Sequence, residues 1–205
     1  LQPIEKIILS SIYLASITGK PIMEIIRDKT IFSEKEIESK MDELIENQLV
    51  KNDRKNLTDL GRSSLRVVLA GGVFDIIHPG HIHTLNSAKD LGDVLIVVIA
   101  TDKTAERMKN RSPLHNQEQR KILVDSLSMV DLGVIGHEED IFKTVDLIRP
   151  QIIALGYDQV HQEKSILEGC RKINLEVEVA RLQSPIPEMS SSIIEKKYGE
   201  KIHGI

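Results

Sequence analysis

His78 and His81 lie three residues apart in the run Gly71-Gly72-Val73-Phe74-Asp75-Ile76-Ile77-His78-Pro79-Gly80-His81, where a strand-like segment gives way to a helical one. A helix start carries free N–H groups and the positive end of the helix dipole, which together form an anion site. Two imidazoles bracketing such a start are suited to gripping phosphate oxygens. The run is neither GxGxxG nor GxxxxGK(S/T), so it is not one of the common glycine-rich phosphate loops. Gly71 and Gly72 remove side chains where the backbone would approach a ligand. A metal site would need a third ligand, and His83, on the other side of the helix start, is the only local candidate. Metal ligation is therefore disfavoured, as is simple capping. Asp75 is expected to hold the loop by hydrogen bonds rather than to react.

Regular elements must place these residues. From residue 66 onward, strand-like runs at 66–70, 94–100, 132–135, 152–155 and 176–179 alternate with helix-like stretches at 81–91, 117–129, 141–147 and 162–173. Apolar strands alternating with helices predict an α/β domain over residues 66–205, a Rossmann-like doubly wound parallel sheet. In such sheets ligands sit beyond the carboxyl ends of the strands, and the histidine run follows the first strand there.

Residues 1–65 are expected to form a separate, mostly helical domain. Ile7, Ile8, Ile12, Leu14 and Ala15 suit an amphipathic helix that Gly19-Lys20-Pro21 breaks. Pro21 opens a second short helix, 22–27. Ser33 and Glu36 have capping-box spacing before a third, 34–47, whose Ile37, Met41, Leu44 and Ile45 recur at helical spacing. Leu49-Val50 and Leu57-Thr58 flank a polar turn and predict a hairpin, after which Asp59-Leu60-Gly61-Arg62 enters a last helical turn. On the stretch LIENQLVKNDRKNLTDLGR, this arrangement resembles a winged-helix domain. Such domains often bind DNA through the third helix. Here that helix sets Glu34, Glu36, Glu38, Asp42 and Glu43 against Lys35 and Lys40, an excess of carboxylates that phosphates would repel. Dimerisation or docking is favoured over DNA; Lys51, Arg54 and Lys55 in the turn are the residues on the DNA side.

Composition narrows the classes further. Hydrophobic residues make up 40% and charged residues 28% of the 205, as in ordinary globular proteins, and with aromatics at 3% the core must be aliphatic. The net charge of −4 divides into −1 over residues 1–65 (10 basic, 11 acidic) and −3 over the rest (17 basic, 20 acidic). Neither part binds nucleic acid by bulk charge. The longest apolar run, 94–100, is far short of the roughly 18 residues of a membrane span, so no membrane role is expected. The first residues, Leu1-Gln2-Pro3-Ile4-Glu5-Lys6, lack the layout of a secretory signal, and the start at Leu1 is expected to reflect trimming. Cys170 is the only cysteine, which excludes a disulfide framework and a multi-cysteine metal site. It is expected to be a small buried helix residue, and the cytoplasm is the expected compartment.

The stretch GGVFDIIHPGHIHTLNSAKDLGD, a Gly, a Phe-Asp pair and then HxGH, is similar to the nucleotide-binding motif of the cytidylyltransferase-like nucleotidyltransferase superfamily. Glu118-Gln119-Arg120 and Ser190-Ser191-Ser192-Ile193-Ile194 support the likeness, which spans residues 66–197. IRPQIIALGYDQ, residues 148–159, together with LSMVD, most resembles archaeal FAD synthases, which adenylylate FMN; glycerol-3-phosphate cytidylyltransferases share HxGH but generally differ at ALGYDQ. The resemblance implies transfer of AMP from ATP to FMN, giving FAD and pyrophosphate. A CTP-dependent cytidylyltransferase acting on glycerol-3-phosphate or a similar phosphorylated alcohol is the second reading. A nucleotide- or flavin-sensing transcriptional regulator is a third, from another class.

By the same resemblance His78 and His81 are catalytic, donating hydrogen bonds to the phosphates, together with Lys109, for which Lys103 and Arg111 are competitors. Nucleotide contacts are implied for Gly72, Val73, Phe74, Pro79, Gly80, Asp131, Gly156, Tyr157 and Gln159, and for the helix-start hydroxyls Ser190, Ser191 and Ser192. Arg120 is expected either to meet the departing pyrophosphate or to salt-bridge on its helix. A divalent cation, Mg²⁺, is expected to bridge the triphosphate with few protein ligands, and no dedicated metal site is expected. Relatives usually carry an Arg and a Thr shortly before the Ser-rich turn; this chain has Gln183-Ser184-Pro185-Ile186-Pro187-Glu188-Met189, with Arg181 the nearest cation. Related enzymes are commonly dimers, so a homodimer is expected.

Overall fold

The structure, a computed structural model, describes residues 1–156, 159 and 162–183. The chain divides into two compact units, Leu1–Arg66 and Val67–Ile205. Among the described residues no helix is long and apolar enough to cross a membrane.

The first unit holds α1 (Pro3–Thr18), α2 (Ile22–Lys29), α3 (Glu34–Glu46) and α4 (Asp59–Ser63). Gly19 stops α1 by turning left-handed, at φ 71°, while its N–H bonds Ala15 O at 2.8 Å. The capping box forms as the spacing predicts: Ser33 N–H donates to Glu36 Oε2 at 2.9 Å, and Glu36 N–H to Ser33 Oγ at 3.3 Å. Ile8, Leu9, Ile12, Ile26, Ile37 and Leu44 are all but inaccessible and form the core of this unit. The expected hairpin is a single antiparallel bridge, Val50 to Leu57. The polar residues between are folded into a turn, because the Asp53 carboxylate accepts from Lys55 N–H at 2.9 Å and Asn56 N–H at 3.0 Å. Arg54, one of the turn cations, is paired with Asp42 of α3.

The second unit alternates β1 (Val67–Gly72), α5 (Pro79–Lys89), β2 (Val94–Ile99), α6 (Asp102–Lys109), α7 (Gln117–Asp125), β3 (Leu132–Ile135), α8 (Ile141–Ile148), β4 (Ile152–Leu155), α9 (Glu163–Lys172) and β5 (Glu178–Arg181). All pairings are parallel, in the order β3-β2-β1-β4-β5, the doubly wound α/β sheet the sequence predicts. The chain runs outward from β1 to β3 and then returns past β1 to β4. The topological switch point therefore falls between β1 and β4, where such sheets form their ligand crevice.

Every residue of β2 is buried. On one face Val68, Ala70, Leu95, Val97, Ile99, Ile152 and Ala154 pack with Leu85 and Ala88 of α5 and Val124 of α7. Fully burying each large aliphatic side chain contributes about 1.5–3 kcal/mol. On α9, Gly169 lets that helix close on α8, since a Cβ there would lie 1.8 Å from the Phe142 ring.

Three differences from expectation have physical causes. Strand β5 begins two residues late, at Glu178, because its partner β4 begins at Ile152, with which Glu178 pairs. Helix α7 stops at Asp125, beyond which the backbone tightens into turns, Leu127 N–H bonding Val124 O at 3.1 Å and Val130 N–H bonding Leu127 O at 2.9 Å. Helix α6 was absent from the expected elements: Ala105 is its one buried residue, so it presents no apolar stripe to read.

Candidate active site

Beyond the end of β1 the chain turns sharply at Phe74, whose φ of 54° lies in the left-handed region. That conformation is uncommon for a bulky residue and must be held by its surroundings. The surroundings are visible: the Phe74 ring is 5% exposed and sits in the apolar core. A Cβ on Gly72 would lie 3.0 Å from that ring, so Gly72 makes room for Phe74. Val73 is likewise buried.

Helix α5 starts with His78 at its N-cap and Pro79 in the first turn, where a missing N–H costs nothing. His78 O accepts His81 N–H at 2.9 Å and Ile82 N–H at 3.3 Å. The side chains form a stack: Phe74 and His81 have ring centroids 5.2 Å apart, and His81 and His78 3.9 Å. Both histidine Nδ1 atoms are buried with no hydrogen-bond partner among the described residues. Buried polar atoms are nearly always paired. Both lie at the start of a helix, where free N–H groups and the helix dipole favour an anion.

Burial, then the neighbouring His78 and Lys109, push the pKa of His81 down to about 4. Burial and Lys109 also lower that of His78. Near neutral pH His81 is therefore an uncharged imidazole, with one donor and one acceptor nitrogen. In an NMR titration the ligand-free protein should show His81 with a midpoint near 4; a midpoint near the ordinary 6.5 would contradict the geometry. A depressed folded-state pKa gives a contribution fully present above about 6.5 and lost as pH falls toward 4.

Asp75 is 3% exposed. Its carboxylate accepts Leu114 N–H at 3.0 Å, His115 N–H at 3.0 Å and Arg111 Nη1 at 3.1 Å. His115 Nδ1 in turn donates to Asp75 O at 3.0 Å, which places the proton on that nitrogen. Burial alone would raise the Asp75 pKa, but these donors outweigh it and hold the carboxyl below its ordinary value. Asp75 thus ties the loop after α6 to the histidine turn, and it does so by the hydrogen bonds the sequence suggested. Sequence reading did not identify Leu114 and His115 as its partners, because backbone donors carry no sequence signal.

Lys109 ends α6, next to Asn110 in the left-handed conformation. Its charge is felt by both histidines. Its competitors are engaged elsewhere: Lys103 Nζ lies 2.7 Å from Glu138 and Arg111 is held by Asp75. Arg120 is fully buried and serves as a clamp. Nε donates to His115 O at 3.0 Å, Nη1 to Val73 O at 2.7 Å and Nη2 to Asp102 at 2.8 Å. A pyrophosphate contact would need surface that this side chain does not expose, and its ion pair is with Asp102 of α6 rather than along its own helix.

Asp131 requires a correction. Its carboxylate holds Lys89 Nζ at 2.5 Å and Leu95 N–H at 2.8 Å, at the amino ends of β2 and β3. That is roughly 13 Å, four strand residues, from the carboxyl edge where His78 and His81 lie. It is an edge fastener and not a nucleotide contact. Gly156 and Gln159 do reach the switch point: Gln159 Oε1 accepts Gly156 N–H at 3.2 Å, and its Nε2 donates to Gly71 O at 3.4 Å. Pro79 is exposed and Gly80 buried beside the histidines. Tyr157, Ser190, Ser191 and Ser192 lie outside the described residues. Among the described residues no group of three or more His, Cys, Asp or Glu converges to hold a metal ion.

Comparison with known proteins agrees with this geometry. The model of the cytidylyltransferase-like family matches residues 69–197. An FAD synthase of Picrophilus torridus is 51% identical over 125 residues, covering 61% of this chain and 89% of that protein. One of Aciduliprofundum boonei is 52% identical over 116 residues, covering 57% and 77%. A solved structure described as the lipopolysaccharide core biosynthesis protein from Thermoplasma volcanium has a TM-score of 0.56 at 42% identity, over 58% of this chain and 98% of that one. With the HxGH turn at the switch point and the family match taking in all but the first two residues of β1 and every later strand, the chain belongs to the cytidylyltransferase-like family.

Proposed function

We propose that this chain transfers the AMP group of ATP to FMN, releasing pyrophosphate and yielding FAD. The observation that carries this reading is the stacked pair of imidazoles at the N-terminus of α5, whose buried Nδ1 atoms have no partner among the described residues. The similarity to archaeal FAD synthases supports FMN as acceptor and ATP as donor. An oxygen of the FMN phosphate bonds to the α-phosphorus of ATP as the bond from that phosphorus to the β-bridging oxygen breaks, and pyrophosphate carries the electron pair away. The FMN phosphate is already ionised near neutral pH, so no general base is required. Catalysis is then alignment and stabilisation of charge on the α-phosphate oxygens.

His78 and His81 supply neutral hydrogen-bond donors for that charge, and Lys109 a cation. A Mg²⁺ bound with the triphosphate would neutralise charge on the leaving group. Gly156 and Gln159, with Tyr157 and the Ser190–Ser192 turn, are assigned to the nucleoside and phosphates. Residues 1–65 are assigned a docking or dimerisation role in a homodimer. Incubation with FMN, ATP and Mg²⁺ should give FAD and pyrophosphate; turnover of CTP with glycerol-3-phosphate, and none of ATP with FMN, would overturn the assignment.

A further inference from the structure

Among the described residues Arg120 is the charged side chain shut furthest from water, at 0% exposure. It stands near the start of α7, which is fixed by a reciprocal cap: Gln119 N–H donates to Asn116 Oδ1 at 3.0 Å and Asn116 N–H to Gln119 Oε1 at 3.1 Å. Burying a guanidinium is costly unless its donors are met. Its planar fork can, however, serve several acceptors at fixed angles. Here the acceptors belong to three separate segments, none of them α7: Val73 O in the turn after β1, Asp102 in the first turn of α6, and His115 O in the loop between α6 and α7. Each segment leads to a group of the site. Val73 precedes Phe74, α6 ends at Lys109, and His115 grips Asp75 through both its N–H and its Nδ1. We propose that Arg120 is a positioning residue for adenylyl transfer, holding the histidine stack and Lys109 in register by fixing the three segments that carry them. This inference rests on the reading above.

Two arguments separate this role from simple support of the fold. The first is the strained turn. The peptide joining Val73 to Phe74 is planar, so the 2.7 Å bond from Arg120 to Val73 O fixes the direction of that plane and with it the φ of Phe74, 54°. Such a torsion persists only where the surroundings over-determine it. The Phe74 ring is the neighbour of His81 at 5.2 Å, and His81 that of His78 at 3.9 Å, so rotating this peptide moves the stack. The second is the seat of α6. Its one buried residue is Ala105, so polar ties rather than apolar packing set its place. Two of those ties reach α7: Asp102 N–H donates to Gln117 Oε1 at 3.1 Å, and Asp102 Oδ1 accepts from Arg120 at 2.8 Å. Loosening the start of α6 displaces Lys109 at its end. With no exposed surface, Arg120 acts on the phosphates only through these neighbours. A lysine in its place keeps the charge but has one nitrogen where the guanidinium uses three.

The test is Arg120→Lys in the full chain, with kcat, both KM values and the His81 ring resonances read on the same protein. The kcat for FAD formation should fall on the order of 30-fold or more while KM for ATP and for FMN each change about twofold or less, because misplaced transition-state donors lower the rate and not ground-state binding. The NMR midpoint of His81 should rise clearly above its wild-type value of about 4 as the loosened stack admits water. Charge is unchanged in this variant, so that rise reports position. Placed in a His81→Ala background, the same replacement should lower kcat by a factor about fivefold or more smaller than in the wild type, since the two side chains act in series. Unchanged kcat, a KM rise with no fall in kcat, an unmoved His81 midpoint, or losses that multiply in full would each overturn the proposal. If the wild type forms no FAD, the reaction reading falls, and the His81 midpoint alone decides whether Arg120 holds the stack. Should Arg120→Lys not fold, Asp102→Ala, altering a side chain that is 40% exposed, removes one anchor of the same guanidinium. It should lower kcat about fivefold with both KM values held, and unchanged kcat there would overturn the proposal.

Discussion

Replacing His81 with alanine should lower kcat for FAD formation on the order of 100-fold or more, with a much smaller change in KM for ATP. His81 is the inner ring of a stack, packed between Phe74 and His78, with its Nδ1 buried and unpartnered. A neutral donor fixed in a partly desolvated place gains most when charge grows on the α-phosphate, which is a transition-state event; loss of one such donor typically costs 10²–10³ in kcat. An interaction made chiefly in the transition state appears in kcat and only weakly in KM. The same variant should fold well, because it removes a buried polar group that lacks a partner. It should also lose part of the acid sensitivity of the wild type between about pH 6.5 and 4, since the proton uptake that follows from the low His81 pKa is gone. Near-wild-type kcat, measured by FAD release across that range, would remove His81 from the chemistry.

The contrast between His81 and Asp131 shows what a sequence of this kind reveals. The HxGH residues are legible because several local signals coincide: a strand-like run, glycines, a proline that suits a helix start and two imidazoles at one-turn spacing. Asp131 was assigned by resemblance at a place where the local pattern says only that a helix has ended. The three-dimensional register puts it at the amino edge, beside Leu95, which no linear signal gives. Gly72 is a similar case. Its missing side chain is real information, but a group that needs the space is Phe74, two residues on, which no linear signal identifies. Helix α6 was illegible because seven of its eight residues remain at least partly accessible, so its position is fixed by the Thr101 cap and not by a buried stripe. Long-range hydrogen bonds such as those from Arg120 to Val73 and Asp102 are likewise invisible until the loops are brought together. The central strands β2 and β4, by contrast, were readable almost to the residue, since strands buried on both faces must be continuously apolar.

Asp75→Asn should be the most damaging conservative change at the site, lowering stability by roughly 2–3 kcal/mol and kcat along with it. The carboxylate serves three donors from one loop, Arg111 and the N–H groups of Leu114 and His115. An asparagine keeps the shape but offers one oxygen, and turns its NH₂ toward a donor. The bonds lost are charge-assisted and shielded from water, because Asp75 is 3% exposed. That loop leads directly from Lys109 to α7, so releasing it frees the lysine from its place beside the histidines. Arg120, donating to His115 O and Val73 O, continues to clamp the far end of the loop, which is why the variant should remain folded. The pH dependence separates this role from a general loss of packing. Asp75 has a depressed folded-state pKa, so its contribution is present above its unfolded value, about 3.9, and is lost as pH falls through the folded one. The stability gap between wild type and Asp75→Asn, read from urea midpoints, should therefore be constant at neutral pH and narrow in strong acid. A gap that does not narrow there, or unchanged kcat in folded protein, would mean that the carboxylate is not what holds the lysine loop in place.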